Sequence, residues 1–148
     1  MEKHIKFTPE VKIDKDTSEI ADIHCIAGHC DGIFEDMKAR WRMGLEIKSM
    51  SGASFAALRR PSDQYLTQAT VYMACLGLEH MMFVFVDKNA SLIQPILYDF
   101  STERWEAISA MIQGVIEKVM LSKSVPKKVD PWACKNICNY YWLCKPKA

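Results

Sequence analysis

The sequence predicts an α/β fold in which a mixed central β-sheet is flanked by helices. Apolar segments of strand length alternate with two helical segments in the order β-β-β-α-β-β-α. The run "MMFVFV" (81–86) is apolar throughout, as a strand buried on both faces requires. Residues 102–121 repeat Trp105, Ile108, Ile112, Val115 and Val119 at three- and four-residue steps, the stripe of a helix with one apolar side. At 148 residues the chain has the length of one ordinary domain. Residues 1–148 are expected to form it, with 130–148 as a cysteine-rich tail.

Taken in order, residues 4–13 ("HIKFTPEVKI") read as a first strand and "DKDTSE" as a polar turn. Residues 20–34 read as one long strand with a bulge site at Gly28. The polar link "EDMKARWRMG" joins it to the apolar segment 44–49, which makes the two an antiparallel hairpin. The loop "SMSGASFAALRRPSD" has room for a helical turn around Phe55–Arg59. Ser62 or Asp63 then caps a helix over 64–79, with Pro61 just outside it. Strands are expected at 81–88 and 91–100, and Pro95 favours a sheet edge for the second. The helix over 102–121 ends at "SKSVPKKVDP".

Hydrophobic residues make up 49% of the chain and charged residues 25%, a globular composition. No apolar run approaches the ~20 residues of a membrane span, and "MEKHIKF" has no apolar stretch behind its charges. The expectation is an intracellular protein without a membrane partner. Nineteen basic residues against eighteen acidic ones argue against a non-specific nucleic-acid coat. Charge is uneven, however: from Lys118 onward seven lysines face one acid, Asp130. That tail suits either solvation or a phosphate-facing patch.

Acidic residues stand where the central hairpin calls for Val or Leu, in "GHCDGIF" (28–34) and "GLEIKSM" (44–50). Glu46 and Lys48 share one strand face and Ile47 takes the other. In a regular hairpin Asp31 lies opposite Glu46, because the midpoint falls at Lys38–Ala39 inside the polar link. Their Cβ atoms are then ~5 Å apart, a repulsive pair unless a cation lies between them. A divalent metal on Asp31, Glu46 and the Ile47 carbonyl resolves this, with water and phosphate oxygens completing a Mg²⁺ shell. Lys48 stands ready to orient the water or stabilise charge on the phosphate. Glu-x-Lys alone fits an exposed strand edge with a salt bridge better than it fits a site. His29 shares the strand face of Asp31, either as a ligand or as an ordinary hydrogen-bonded histidine, and Lys88 ends the buried strand.

Gly28-x-x-Asp31, Glu46-x-Lys48 and Gln68-x-x-x-Tyr72, in that order, resemble the motifs of the PD-(D/E)XK nuclease superfamily. The last motif is similar to its RecB-like branch, which includes CRISPR-associated RecB-type nucleases and many small phage exonucleases. The resemblance runs from about residue 20 to 144. It implies a restriction-endonuclease-like fold, Mg²⁺ or Mn²⁺ on Asp31, Glu46 and the Ile47 carbonyl, a catalytic Lys48, and a Gln68/Tyr72 helix that contacts DNA. Tyr65, Gln68 and Tyr72 form one stripe at i, i+3 and i+7, while Leu66, Ala69, Met73 and Leu76 lie around the other side. An amide and two phenols there suit phosphates or unpaired bases, or else half-buried packing.

Cys134, Cys138 and Cys144 crowd into eleven residues, which in an intracellular protein suggests metal, either Zn²⁺ or an iron–sulfur cluster, or else a tail whose cysteines pack as hydrophobes. RecB-like nucleases carry a similar triplet on a [4Fe–4S] cluster, usually with a first gap shorter by one residue. Their fourth cysteine comes from a helix ahead of the first strand, and that helix often supplies a further metal ligand. Here the chain starts almost directly with a strand, so a minimal version or a fragment with reduced activity is expected, and Cys25 and Cys30 fall inside the expected site strand. The functional expectation is a Mg²⁺- or Mn²⁺-dependent exonuclease on single-stranded or end-frayed DNA. Its alternatives are a DNA-binding module of the same fold and a structural metalloprotein organised by the cysteine tail.

Overall fold

The computed structural model describes residues 4–121 apart from Met37. Its elements are β1 (Ile5–Ile13), α1 (Glu19–Ile23), β2 (Gly28–Asp36), β3 (Trp41–Met50), α2 (Gly52–Ala57), α3 (Asp63–Leu76), β4 (His80–Asp87), β5 (Ile93–Asp99) and α4 (Thr102–Met120). Contacts divide the chain into two units, residues 1–113 and 114–148. The sheet, α1 to α3 and the first part of α4 belong to the first unit. Among the described residues no helix is long and apolar enough to cross a membrane.

The five strands form one sheet in the order β1-β2-β3-β4-β5. Every neighbouring pair is antiparallel except β3–β4, which is parallel. A parallel pair needs a crossover rather than a tight turn, and α2 with α3 supplies it. β4 alternates strictly, with Met81, Phe83 and Phe85 fully buried, so the apolar run of the sequence has one deeply buried face. Pro95 sits on β5, an edge strand, where its missing N–H leaves no ladder bond unmade. The expected fold class is the observed one: a mixed sheet with helices packed on it.

Two local readings change. Residues 20–34 are not one strand but α1, a short connection and β2. Ser18 caps α1, its hydroxyl accepting from the Ala21 N–H, and Glu19 and Asp22 favour its first turn. Cys25 therefore lies outside the site strand, in the left-handed backbone region at φ 52°. Gly28 begins β2 rather than bulging it, and the irregularity falls further along. Cys30 and Ile33, three residues apart, both join the same buried cluster, which strict alternation forbids. α3 is capped by Ser62 as expected, but it stops at Leu76, where Gly77 adopts the left-handed conformation (φ 62°) and ends it.

Candidate active site

β3 holds the centre of the sheet, with β2 on one side and β4 on the other. The β2–β3 register runs from Asp36↔Trp41 to Gly32↔Leu45, which puts the hairpin midpoint between Lys38 and Ala39, as the spacing predicts. One further step would pair Asp31 with Glu46. The ladder ends before it, and a side chain takes over: the Asp31 Oδ2 accepts the Ile47 N–H at 2.6 Å. In an extended strand the N–H and C=O of one residue point to the same side. The Ile47 carbonyl therefore opens toward the gap that Asp31 occupies, past the last paired position of β2 and β3.

On the other side of β3, Glu46 pairs in register with Phe83 and Lys48 with Phe85. Glu46 and Lys48 thus share the face of the buried phenylalanines, beneath α3. This is why an acid and a base interrupt a core strand: they line the floor of a half-buried site rather than an exposed edge. The Glu46 side chain is 4% exposed and that of Lys48 18%. The Lys48 ammonium donates to Glu46 Oε1 at 2.6 Å and to Gln68 Oε1 at 2.9 Å, and stands 5.0 Å from the centre of the Tyr65 ring. Two acceptors and a π-face thus surround the ammonium.

Glu46 is left half-satisfied. Its Oε2 is buried with no hydrogen-bond partner, the one such side-chain atom among the described residues. Burial pushes the Glu46 pKa up, against the opposing hydrogen bond and charge of Lys48. The nearby charge of Asp31 raises it further, and the Asp31 backbone N–H lowers it more weakly without reaching Oε2 in hydrogen-bond geometry.

α3 brings the remaining side chains because its buried positions are Leu66, Ala69, Thr70, Met73 and Cys75. Packing that face on the sheet turns the flank bearing Tyr65, Gln68 and Tyr72 toward β3. The Gln68 Nε2 donates to the Tyr72 hydroxyl at 3.1 Å, so one amide links Lys48 to Tyr72. Tyr65 also packs against Phe85, ring centroids 6.1 Å apart.

The structure thus brings together Asp31, Glu46, Ile47, Lys48, Tyr65, Gln68 and Tyr72. His29 is exposed opposite Lys12 and joins none of these contacts, and Lys88 is exposed at the end of β4. Cys134, Cys138 and Cys144 lie outside the described residues. Sequence reasoning overlooked Asp87, 6% exposed, whose carboxylate accepts the Asn89 N–H at 2.8 Å and closes the turn after β4. Its parity with Phe83 and Phe85 was the available signal. Among the described residues no three His, Cys, Asp or Glu side chains cluster as a metal site. The donors present are two carboxylates and a backbone carbonyl, one carboxylate oxygen being buried and unpartnered. Such a set fits a hard divalent cation that keeps several waters.

No protein-family model and no curated protein matches this sequence. Solved structures do. The crystal structure of LHK-Exo in complex with dAMP matches with a TM-score of 0.63 at 18% identity, over 80% of this chain and 58% of that one. A second structure of this alkaline exonuclease, from Laribacter hongkongensis, matches with a TM-score of 0.52 at 19% identity, over 80% of this chain and 62% of that one. The chain therefore has the fold of that exonuclease and spans about three-fifths of its length. The likeness to PD-(D/E)XK nucleases drawn from the motifs holds at the level of the fold.

Proposed function

We propose that this chain is a metal-dependent DNA nuclease, an exonuclease that hydrolyses phosphodiester bonds in single-stranded or end-frayed DNA. The observation that carries the reading is the buried, unpartnered Glu46 Oε2, on one strand with Lys48 and beside the gap that Asp31 fills. A lone buried carboxylate oxygen is costly, and a cation is the partner that its chemistry calls for. Asp31, Glu46 and the Ile47 carbonyl would hold Mg²⁺ or Mn²⁺. Such an ion, when bound, polarises the phosphodiester and lowers the pKa of the attacking water.

The side chains of the chain do the rest. Lys48, fixed between Gln68 and the Tyr65 ring, presents its ammonium where negative charge develops on the phosphate, which favours the transition state over the bound substrate. Tyr65, Gln68 and Tyr72 line the α3 side of the floor, where a phenol or amide can hold a phosphate and a ring can stack on an unpaired base. Hydrolysis leaves the phosphate on the 5′ end of the product. Support for a deoxynucleotide substrate comes from the shared fold with an exonuclease complexed with dAMP.

The test uses oligonucleotides labelled at the 5′ or 3′ end, single- and double-stranded, incubated with Mg²⁺, Mn²⁺ or EDTA. Stepwise shortening from one end that stops in EDTA is the expected result. Binding of the same oligonucleotides without cleavage in either metal makes the chain a DNA-binding module of this fold instead.

A further inference from the structure

We propose that Gly28 is a positioning residue of this site, kept without a side chain so that Tyr72 can stand where it fixes Gln68 and, through it, Lys48. The proposal deepens the nuclease reading and rests on it for its effect on cleavage. A Cβ built on Gly28 would lie 2.9 Å from the Tyr72 hydroxyl oxygen, 3.1 Å from Cε1 and 3.3 Å from Cζ. All three are shorter than ordinary van der Waals contact, the first too short for any Cβ, so a methyl group obliges the ring to shift. The backbone gives no other reason for glycine here. Gly77 is the one glycine with positive φ among the described residues, so Gly28 has a conformation open to any side chain.

Which partner yields to an added methyl follows from the packing. Gly28 pairs with Ile13, a fully buried residue, so its strand cannot back away from α3. α3 is held by Leu66, Ala69 and Met73 in the core, so the helix cannot back away either. The Tyr72 ring is the free term, and its hydroxyl, the atom nearest the new methyl, is also the Gln68 partner at 3.1 Å. Displacing it releases the Gln68 amide, whose other end accepts from the Lys48 ammonium at 2.9 Å. One methyl group on β2 thereby loosens the lysine on β3 through two hydrogen bonds, with the core untouched.

The experiment is a double-mutant cycle on the full chain with Gly28→Ala, Tyr72→Ala and the pair, read by cleavage kinetics and by thermal unfolding. Gly28→Ala is expected to lower kcat about tenfold or more with KM little changed, since it misplaces a group without removing one. In the Tyr72→Ala background the same substitution should lower kcat no further. Its shift of the Tm should likewise vanish there, because the ring it collides with is gone. Tyr72→Phe, which keeps the ring but lacks the nearest atom, gives partial relief and serves if Tyr72→Ala does not fold. Gly28→Ala acting equally in both backgrounds, or leaving kcat at the wild-type value, overturns the proposal. A wild-type chain that never cleaves removes the nuclease reading; the Tm cycle then still decides whether Gly28 makes room for Tyr72.

Discussion

At the scale of single residues the site is an exchange of partners waiting to happen. Lys48 satisfies one oxygen of Glu46 and leaves the other bare, and Asp31 spends an oxygen on the Ile47 amide that a ladder bond would otherwise use. Removing the ammonium strips Glu46 of its one counter-charge among the described residues, in a place that water hardly reaches. Lys48→Ala is therefore expected to do two separable things. Cleavage should fall by about two orders of magnitude or more, as when a preorganised donor to a developing oxyanion is lost. The metal-free protein should also lose up to about 3 kcal/mol of stability, the consequence of a buried charge left unpaired. Oligonucleotide cleavage and urea unfolding in EDTA measure the two. Unchanged cleavage would take Lys48 out of the reaction, and unchanged stability would mean that Glu46 does not depend on it. The places of Asp31 and Glu46 in the hairpin were legible from spacing because a constant register makes opposite positions a matter of counting. What counting could not give is that the ladder stops one pair short, a choice made by the Asp31 side chain in three dimensions.

At the scale of elements, the strands and the two long helices follow from apolar periodicity, although α3 buries five residues and α4 only Ile108 among the described residues. α1 was not legible in that way. Five residues offer barely one turn of pattern, and Ile20 and Ile26 read as continuing a strand. Its one clear sign was Ser18, whose hydroxyl caps the helix and also donates to the Cys75 carbonyl at 2.7 Å, tying α1 to α3. The end of α3 was misjudged for a different reason: the apolar pattern continues through Leu78, and a single glycine overrules it. Gly77 holds φ 62°, and a Cβ added there would meet nothing within 4 Å. Steric crowding from the surroundings is thus excluded, and the cost of a side chain is backbone strain alone. Gly77→Ala is expected to destabilise the protein by about 1 kcal/mol. The cleavage rate per folded molecule should stay at the wild-type level, because Gln68 and Tyr72 lie upstream in the helix. A larger loss in urea unfolding, or a drop in rate, would show that the helix end does more than stop the chain.

At the scale of the molecule the site joins three elements just past the end of the β2–β3 ladder: β2 through Asp31, β3 through Glu46 and Lys48, and α3 through Gln68. An ion held by Asp31 and Glu46 would clamp β2 to β3 at the place where their ladder is open, so binding should register in the stability of the whole fold. At a metal concentration 100 times the dissociation constant the gain is about 2.7 kcal/mol, or a rise of several degrees in Tm at this size. Mg²⁺ or Mn²⁺ is expected to produce that rise in the wild type, and Asp31→Asn or Glu46→Gln to abolish it, with no DNA present. The sign of the pH effect follows from Glu46, whose pKa is raised first of all by burial. Without metal, the stability that its protonated form contributes is fully present below the ordinary glutamate value and is lost as pH rises through the raised one. Metal binding needs the ionised form, so the thermal shift should grow across the same interval, at higher pH than an ordinary carboxylate would give. Thermal unfolding with and without Mn²⁺ from acidic to neutral pH reads both trends in one experiment. A rise of equal size in Glu46→Gln would place the ion elsewhere, and a wild type with no rise at any pH would mean that Asp31 and Glu46 hold no such ion between them.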